Sequence, residues 1–243
     1  MSGVSRKVLQ RAISMLTKSD LKYGNNIPEW LKDEYSYWEK VVSDKNFPCH
    51  FGTIAEKKGD LRYFYIENHD LSPLPNVLRE FLKLSRENEH NKHALVVFVQ
   101  PEIPEQSFDY YENYFWNILK YLHENDEKEW NANIPTDPDD PLWEFCFDGE
   151  PIFVSANMPA YKHRITRNMG KSLILIFQPR RIFADITPKA IDLIRSKVES
   201  IENLPIHPDL GRYGDESNRE WKQYIITDDN NPRKGVCPFH PKS

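Results

Sequence analysis

Apolar positions recur at helical spacing in the first segment. Val4, Val8, Ala12, Met15 and Leu16 predict a helix, broken at Tyr23-Gly24-Asn25-Asn26. Pro28 suits a helix start, and Leu31, Tyr35, Trp38 and Val42 form the apolar stripe of a second helix. Pro48, in Phe47-Pro48-Cys49-His50-Phe51-Gly52, cannot extend that helix, because it lacks an N–H and clashes with the preceding turn. Residues 61–66 (LRYFYI) have the aromatic and branched side chains of a strand. A helix follows Pro73 and Pro75, with Val77, Leu78, Phe81 and Leu82 on one side. The run 94–99 (ALVVFV) is uniformly apolar and predicts a strand buried on both faces. Tyr111, Tyr114, Phe115, Ile118, Leu119 and Leu122 mark the clearest helix.

The second half is less regular. Residues 124–150 are acidic and punctuated by Pro135, Pro138 and Pro141, and predict a long loop. Two short strands are expected over 143–147 and 152–155, turned by Asp148-Gly149. Residues 172–177 (SLILIF) predict another buried strand. Thr187-Pro188 starts the last regular helix, with Ile191, Ile194, Val198 and Ile201 inward. From Pro205 the chain reads as an irregular tail packed on the body through Tyr213, Trp221, Tyr224, Ile225 and Phe239. The expected architecture is a single α/β (mixed α+β) domain spanning 1–243, a mixed sheet covered by helices. Two domains meeting near residue 130 is the weaker alternative.

Composition narrows the function. Aromatics are 13% of 243 residues, which fits a folded domain rather than a disordered chain. The net charge of −5 argues against a general nucleic-acid or anionic-membrane binder. No apolar run is long enough for a membrane-spanning helix. The N-terminal Arg6, Lys7 and Arg11 precede no continuous apolar stretch, so a cytoplasmic protein is expected. Cys49, Cys146 and Cys237 form no CxxC pair, so neither a disulfide framework nor a four-thiolate zinc site is expected. GxGxxG, P-loop, HExxH and GxSxG signatures are absent. His90 and His93 read as parts of a solvated turn.

Cys49 and Cys237 both lie in irregular segments beside Pro and Phe. They are either small apolar core residues or thiolates, and a Cys-Pro pair suits a haem ligand. Cys146, between Phe145 and Phe147 on a predicted strand, reads as core. Residues 162–181 are basic. Arg164 and Arg167 can face one way on a helical turn, and guanidinium forks suit carboxylates such as haem propionates. In Trp143-Glu144-Phe145-Cys146-Phe147-Asp148-Gly149-Glu150, carboxylates beside aromatic rings suit a cationic substrate. A salt bridge to the basic segment is an equal alternative.

Several of these segments, in order, resemble the YqcI/YcgG family of bacterial proteins. The resemblance is carried by residues 48–52 (PCHFG), 59–63 (GDLRY), 140–154 (DPLWEFCFDGEPIFV), 159–168 (PAYKHRITRN), 177–180 (FQPR), 211–214 (GRYG) and 237–239 (CPF). It covers about residues 28–240, leaving 1–27 as a poorly matched helical extension. Characterised members resemble haem-dependent N-hydroxylases acting on guanidine groups of arginine or arginine-like compounds. The resemblance therefore implies a haem b monooxygenase with a small cationic substrate and an external electron donor of ferredoxin or flavodoxin type. A His often stands in the family at the place of Tyr161, whereas this chain has His163. On that basis the axial-ligand candidates are Cys237 and His163, with Cys49 third. Arg164, Arg167 and Arg180 are candidates for the propionates, and Glu144, Asp148 and Glu150, with Trp143, for the substrate cation. A haem sensor or carrier without turnover, and a non-haem module binding an anion or partner, are the alternatives.

Overall fold

The structure is a computed structural model that describes residues 15–88 and 92–241. Most of the predicted N-terminal helix, and His90, lie outside them. Within the described part, Leu16 does not continue a helix. It pairs antiparallel with Tyr63, exchanging N–H···O bonds of 2.7 and 2.9 Å, because the edge strand leaves those backbone groups free.

Among the described residues there are seven α-helices and five strands, forming one mixed α/β domain. Helix α1 (Lys18–Tyr23) starts on a reciprocal capping box between Thr17 and Asp20. Helix α2 (Glu29–Val42) carries the predicted stripe, with Leu31, Tyr35, Trp38 and Val42 all buried. Helix α3 (His50–Lys58) restarts the chain after Pro48 and ends at Gly59, whose φ of 75° a side chain would strain. Strand β1 (Arg62–Ile66), helix α4 (Leu74–Glu87), strand β2 (Leu95–Val99) and helix α5 (Phe108–Glu124) follow as the sequence pattern predicts.

Strands β3 (Cys146–Phe147) and β4 (Glu150–Asn157) are joined by Asp148-Gly149, both at positive φ as a tight two-residue hairpin requires. Strand β5 (Ile174–Pro179) precedes helix α6 (Pro188–Glu202). The tail is not wholly irregular, for it includes helix α7 (Glu220–Tyr224).

The sheet order is β1-β2-β5-β4-β3, with β1 parallel to β2 and the remaining neighbours antiparallel. Alternation along the strands separates two faces. Phe64, Ile66, Leu95, Val97, Val154 and Phe177 join α4, α5 and the tail's Trp221, Tyr224 and Phe239 in the larger core. Tyr63, Val96, Phe98 and Ile174 face α2 and α3 in a smaller one.

Candidate functional site

On this second face the packing stops short. Phe153, Ser155 and Asn157 alternate with the core residues of β4 and, with Val96, Ile176 and Gln178 of the neighbouring strands, line a cavity of about 760 Å³. That volume lies within the range of small-molecule and cofactor sites. Helix α6 covers it. Its predicted inward stripe, Ile191, Ile194 and Val198, is therefore only half-buried, because it faces the hollow rather than close-packed core.

Cys49 is on the cavity wall. Pro48 ends one run of chain, Cys49 takes an extended conformation as the N-cap of α3, and its Sγ accepts the Gly52 N–H at 3.4 Å. Burial pushes the thiol pKa up, while the Gly52 and Phe51 N–H groups draw it down, and the net shift is upward. A Cβ on Gly52 would stand 3.7 Å from Sγ, in ordinary contact with it. Among the described residues, no histidine lines the cavity.

The charge of the lining is lopsided. Among the described residues, Lys92, Arg164, Arg167, Arg180, Arg181, Arg195 and Arg212 line it, against Glu202 and Glu220. Both carboxylates are engaged. Glu202 accepts from Arg164 at 2.9 Å and from the Thr166 hydroxyl, and Glu220 accepts from Arg180, Asn218 and Gln223. Carboxylates just off the wall also hold Lys92 (Asp185), Arg180 (Glu144), Arg181 (Glu150) and Arg212 (Asp192), so the positive charge left for an anionic occupant lies at Arg167 and Arg195 and at the open sides of the paired guanidinium groups.

Arg180 is boxed. Its Nε reaches both Glu144 oxygens, at 2.9 and 2.7 Å, and its guanidinium lies 4.2 Å from the Tyr213 ring centre and 5.2 Å from that of Phe183. Burial pushes the Glu144 carboxyl up, to about 7, against the lowering effect of Arg180.

The other sequence candidates lie elsewhere. Cys237 is 2% exposed in the larger core beside Phe239, with its thiol pushed up to about 12 by burial. His163 lies at the surface, its Nδ1 3.0 Å from Asp228. Asp148 pairs with Arg86 and Lys128, and Glu150 with Arg86 and Arg181, around the β3–β4 turn. Trp143 is fully buried, stacked on Trp130. Glu144 is likewise fully buried beneath Arg180 rather than on the cavity wall. The structure thus brings Cys49, Arg164, Arg167 and Arg180 to one cavity and leaves Cys237, His163, Trp143, Asp148 and Glu150 off its wall. Lys92, Asn157, Arg181 and Arg195 join the wall without having been singled out in the sequence. Nothing in their local pattern separates them from other strand and surface residues.

Asp228 fastens the tail over this region. It accepts the backbone N–H groups of Lys162, His163 and Arg164 at 2.9–3.0 Å, and these bonds hold its carboxyl below the usual range. Asp228→Ala is expected to cost about 1–2 kcal/mol in urea unfolding. Because the folded-state pKa is depressed, this contribution is complete above the unfolded-state pKa and fades as pH falls through the folded value. The loss should therefore shrink in acid.

The fold and site define a mixed α/β protein with a cation-lined cavity beneath a helix-capping cysteine. The chain belongs to the YqcI/YcgG family, whose model it matches over residues 38–240. It is 37% identical to YcgG of Bacillus subtilis (strain 168) over 238 residues, 92% of this chain and 93% of that protein. It is 35% identical to YqcI of the same organism over 243 residues, 93% and 94% of the two chains. A 29% identity over 234 residues, 91% and 88% of the chains, relates it to a Streptomyces lavendulae protein named "Putative N(omega)-hydroxy-L-arginine synthase DcsA". No solved structure matches the chain. Among the described residues, no helix is long and apolar enough to cross a membrane.

Proposed function

We propose that the protein is a haem-dependent N-hydroxylase of a guanidine group on arginine or an arginine-like small molecule. The observation that carries this reading is a cysteine thiol on the wall of a largely apolar cavity of cofactor size with guanidinium groups along its lining. The residues fit haem b: apolar side chains of the sheet and α6 for the macrocycle, Cys49 for the iron, and cations for the propionates. Lys92 and Arg181 suit that last role. The Lys92 ammonium rests on the carbonyl of Ile182, next to Arg181, and pairs with the exposed Asp185; Arg181 holds Glu150 through Nε and keeps a buried Nη2 without a partner among the described residues. Haem would supply dioxygen activation, helped by electron donation from a thiolate ligand.

The chain's own part is to bind, orient and exclude water. The α3 N–H groups steady the sulfur's charge, and α6 closes the cavity. Electrons would come from a separate ferredoxin- or flavodoxin-type donor. The DcsA name supports the reaction, and the cavity supports a bound cofactor. A second reading, a haem carrier without turnover, is favoured by the pairing of Glu144, Asp148 and Glu150 with arginines, which leaves none of them free for a cation.

Titration with haemin should give a Soret band, and reduction in the presence of L-arginine and oxygen should give a product heavier by one oxygen atom. No Soret band overturns both readings; a band without product selects the carrier. Uptake should depend on pH. With the thiol pKa raised, ligation releases a proton, so affinity should rise about tenfold per unit between about pH 6 and pH 8. An ordinary imidazole ligand would instead level off above about pH 6.5.

A further inference from the structure

We infer that Arg167 and Asn157 form a carboxylate-binding subsite, which takes the α-carboxylate of an amino-acid substrate. The identity of the occupant rests on the N-hydroxylase reading; the subsite itself rests on one unsatisfied amide and a buried guanidinium with only long bonds to neutral carbonyls among the described residues. Lys92, Arg164, Arg180, Arg181 and Arg212 each hold a carboxylate. Arg195 makes close bonds of 2.7 and 2.6 Å to the Leu210 and Gly211 carbonyls. Arg167 has only two long contacts to neutral oxygens, 3.4 Å to the Ala156 carbonyl and 3.3 Å to that of Gln223. It is nonetheless deep in the protein, where burial pulls its pKa down, and its residual accessible surface belongs to a residue on the cavity wall.

The second donor is Asn157, next in the chain to Ala156. It is 2% exposed, lines the same cavity, and its buried Nδ2 has no partner among the described residues. Both groups are fixed. Asn157 is paired with Ile174 in the sheet, and the Arg167 carbonyl accepts the Met158 N–H at 3.0 Å. A guanidinium fork and an amide N–H are the donors that a carboxylate's two oxygens satisfy. The location separates this subsite from Arg181. Asn157 is five residues along β4 from Ile152, which pairs with Pro179 beside Arg180 and Arg181. That places the two ends about 17 Å apart along the strand. Haem carries its two propionates on one edge, and one end of the cavity has Arg181 with an unpartnered Nη2 beside Lys92, whose partner Asp185 is exposed. A single guanidinium with one amide at the other end matches a single carboxylate. The cavity would then grip arginine by its anionic end and leave the guanidine among neutral Ser155 and Gln178, with no free carboxylate to trap it.

The test compares L-arginine with agmatine, which keeps the guanidine and lacks the carboxylate, on the wild-type holoenzyme and on Arg167→Leu, Arg167→Lys and Asn157→Ala. The wild type should prefer L-arginine by at least about a hundredfold in kcat/KM. Arg167→Leu should narrow the preference to a few-fold through KM for L-arginine, with the haem-to-protein ratio unchanged. Arg167→Lys should restore part of it, and Asn157→Ala should weaken it several-fold. Equal use of the two substrates by the wild type overturns the subsite while the N-hydroxylase reading stands. So does loss of haem from Arg167→Leu with the preference intact. If Arg167→Leu does not fold, Arg167→Lys and Asn157→Ala decide by the same preference. If L-arginine is neither bound nor oxidised, that reading fails and L-norvaline, a carboxylate without guanidine, judges the subsite. A rise in wild-type Tm that Asn157→Ala and Arg167→Lys diminish supports it; no rise overturns it.

Discussion

Cys49→Ala is expected to give a folded protein with no thiolate-type reduced-CO band and at least about a thousandfold less turnover. The reasoning is positional. Of Cys49, Cys237 and His163, Cys49 alone stands on the cavity wall, with its sulfur under an α3 N–H; Tyr213 is also on the wall but lies against the Arg180 guanidinium. Its own packing is partial, so truncation should lower Tm little. Cys237→Ala should behave in the opposite way. It removes a buried core sulfur and should cost about 1–2 kcal/mol in urea unfolding with the spectrum unchanged. His163→Ala, at the surface, should alter neither. Retention of the thiolate band in Cys49→Ala, with its loss in Cys237→Ala, would reverse the assignment.

Arg180→Met should be the most destabilising single change around the cavity, by about 3–5 kcal/mol near neutral pH. Glu144 is fully buried and Glu220 2% exposed in its side chain, and both lean on this guanidinium. Its removal strands two carboxylates beside each other. The loss should depend on pH with a definite sign. A carboxyl whose folded-state pKa is raised above the unfolded value of about 4.3 penalises the folded state once it must ionise, and the penalty lifts as pH falls toward the unfolded value. Glu144 is already at about 7 with Arg180 present, and loss of the cation moves it further up. The variant should therefore regain stability relative to the wild type between about pH 8 and pH 5, as chemical denaturation at several pH values will show. Arg86→Met, by comparison, breaks more exposed pairs with Asp148 and Glu150 and should cost under about 1 kcal/mol.

Much of the fold was legible because period and burial agree. The continuous apolar run of β2, the stripes of α2 and α5, and the Asp148-Gly149 turn each carry their reason locally. Helix α3 was missed because its evidence is a stop at Pro48, and its start is capped by a cysteine rather than a serine or aspartate. The α6 stripe was read correctly as a face and incorrectly as packed core, since periodicity reports direction and not what fills the space beyond. The site divides the same way. Residue types suggested a thiolate, guanidinium forks and carboxylates. Whether Glu144 is free or held by Arg180 is decided by residues 36 apart, which no local window sees.

The cavity has one more consequence, for the order of events in assembly. Its wall runs from Trp38 to Ile226, and Asp228 locks the last stretch only after the chain has returned across the sheet. No shorter segment encloses it, so the hollow is among the last parts to form and follows closure of the longest loops. A guest molecule should then find its place in a nearly finished protein rather than seed the fold. By mass action, its presence would slow the reopening of the C-terminal segment first. Chains released before α6 would carry the sheet and the cysteine without the helix that covers the hollow.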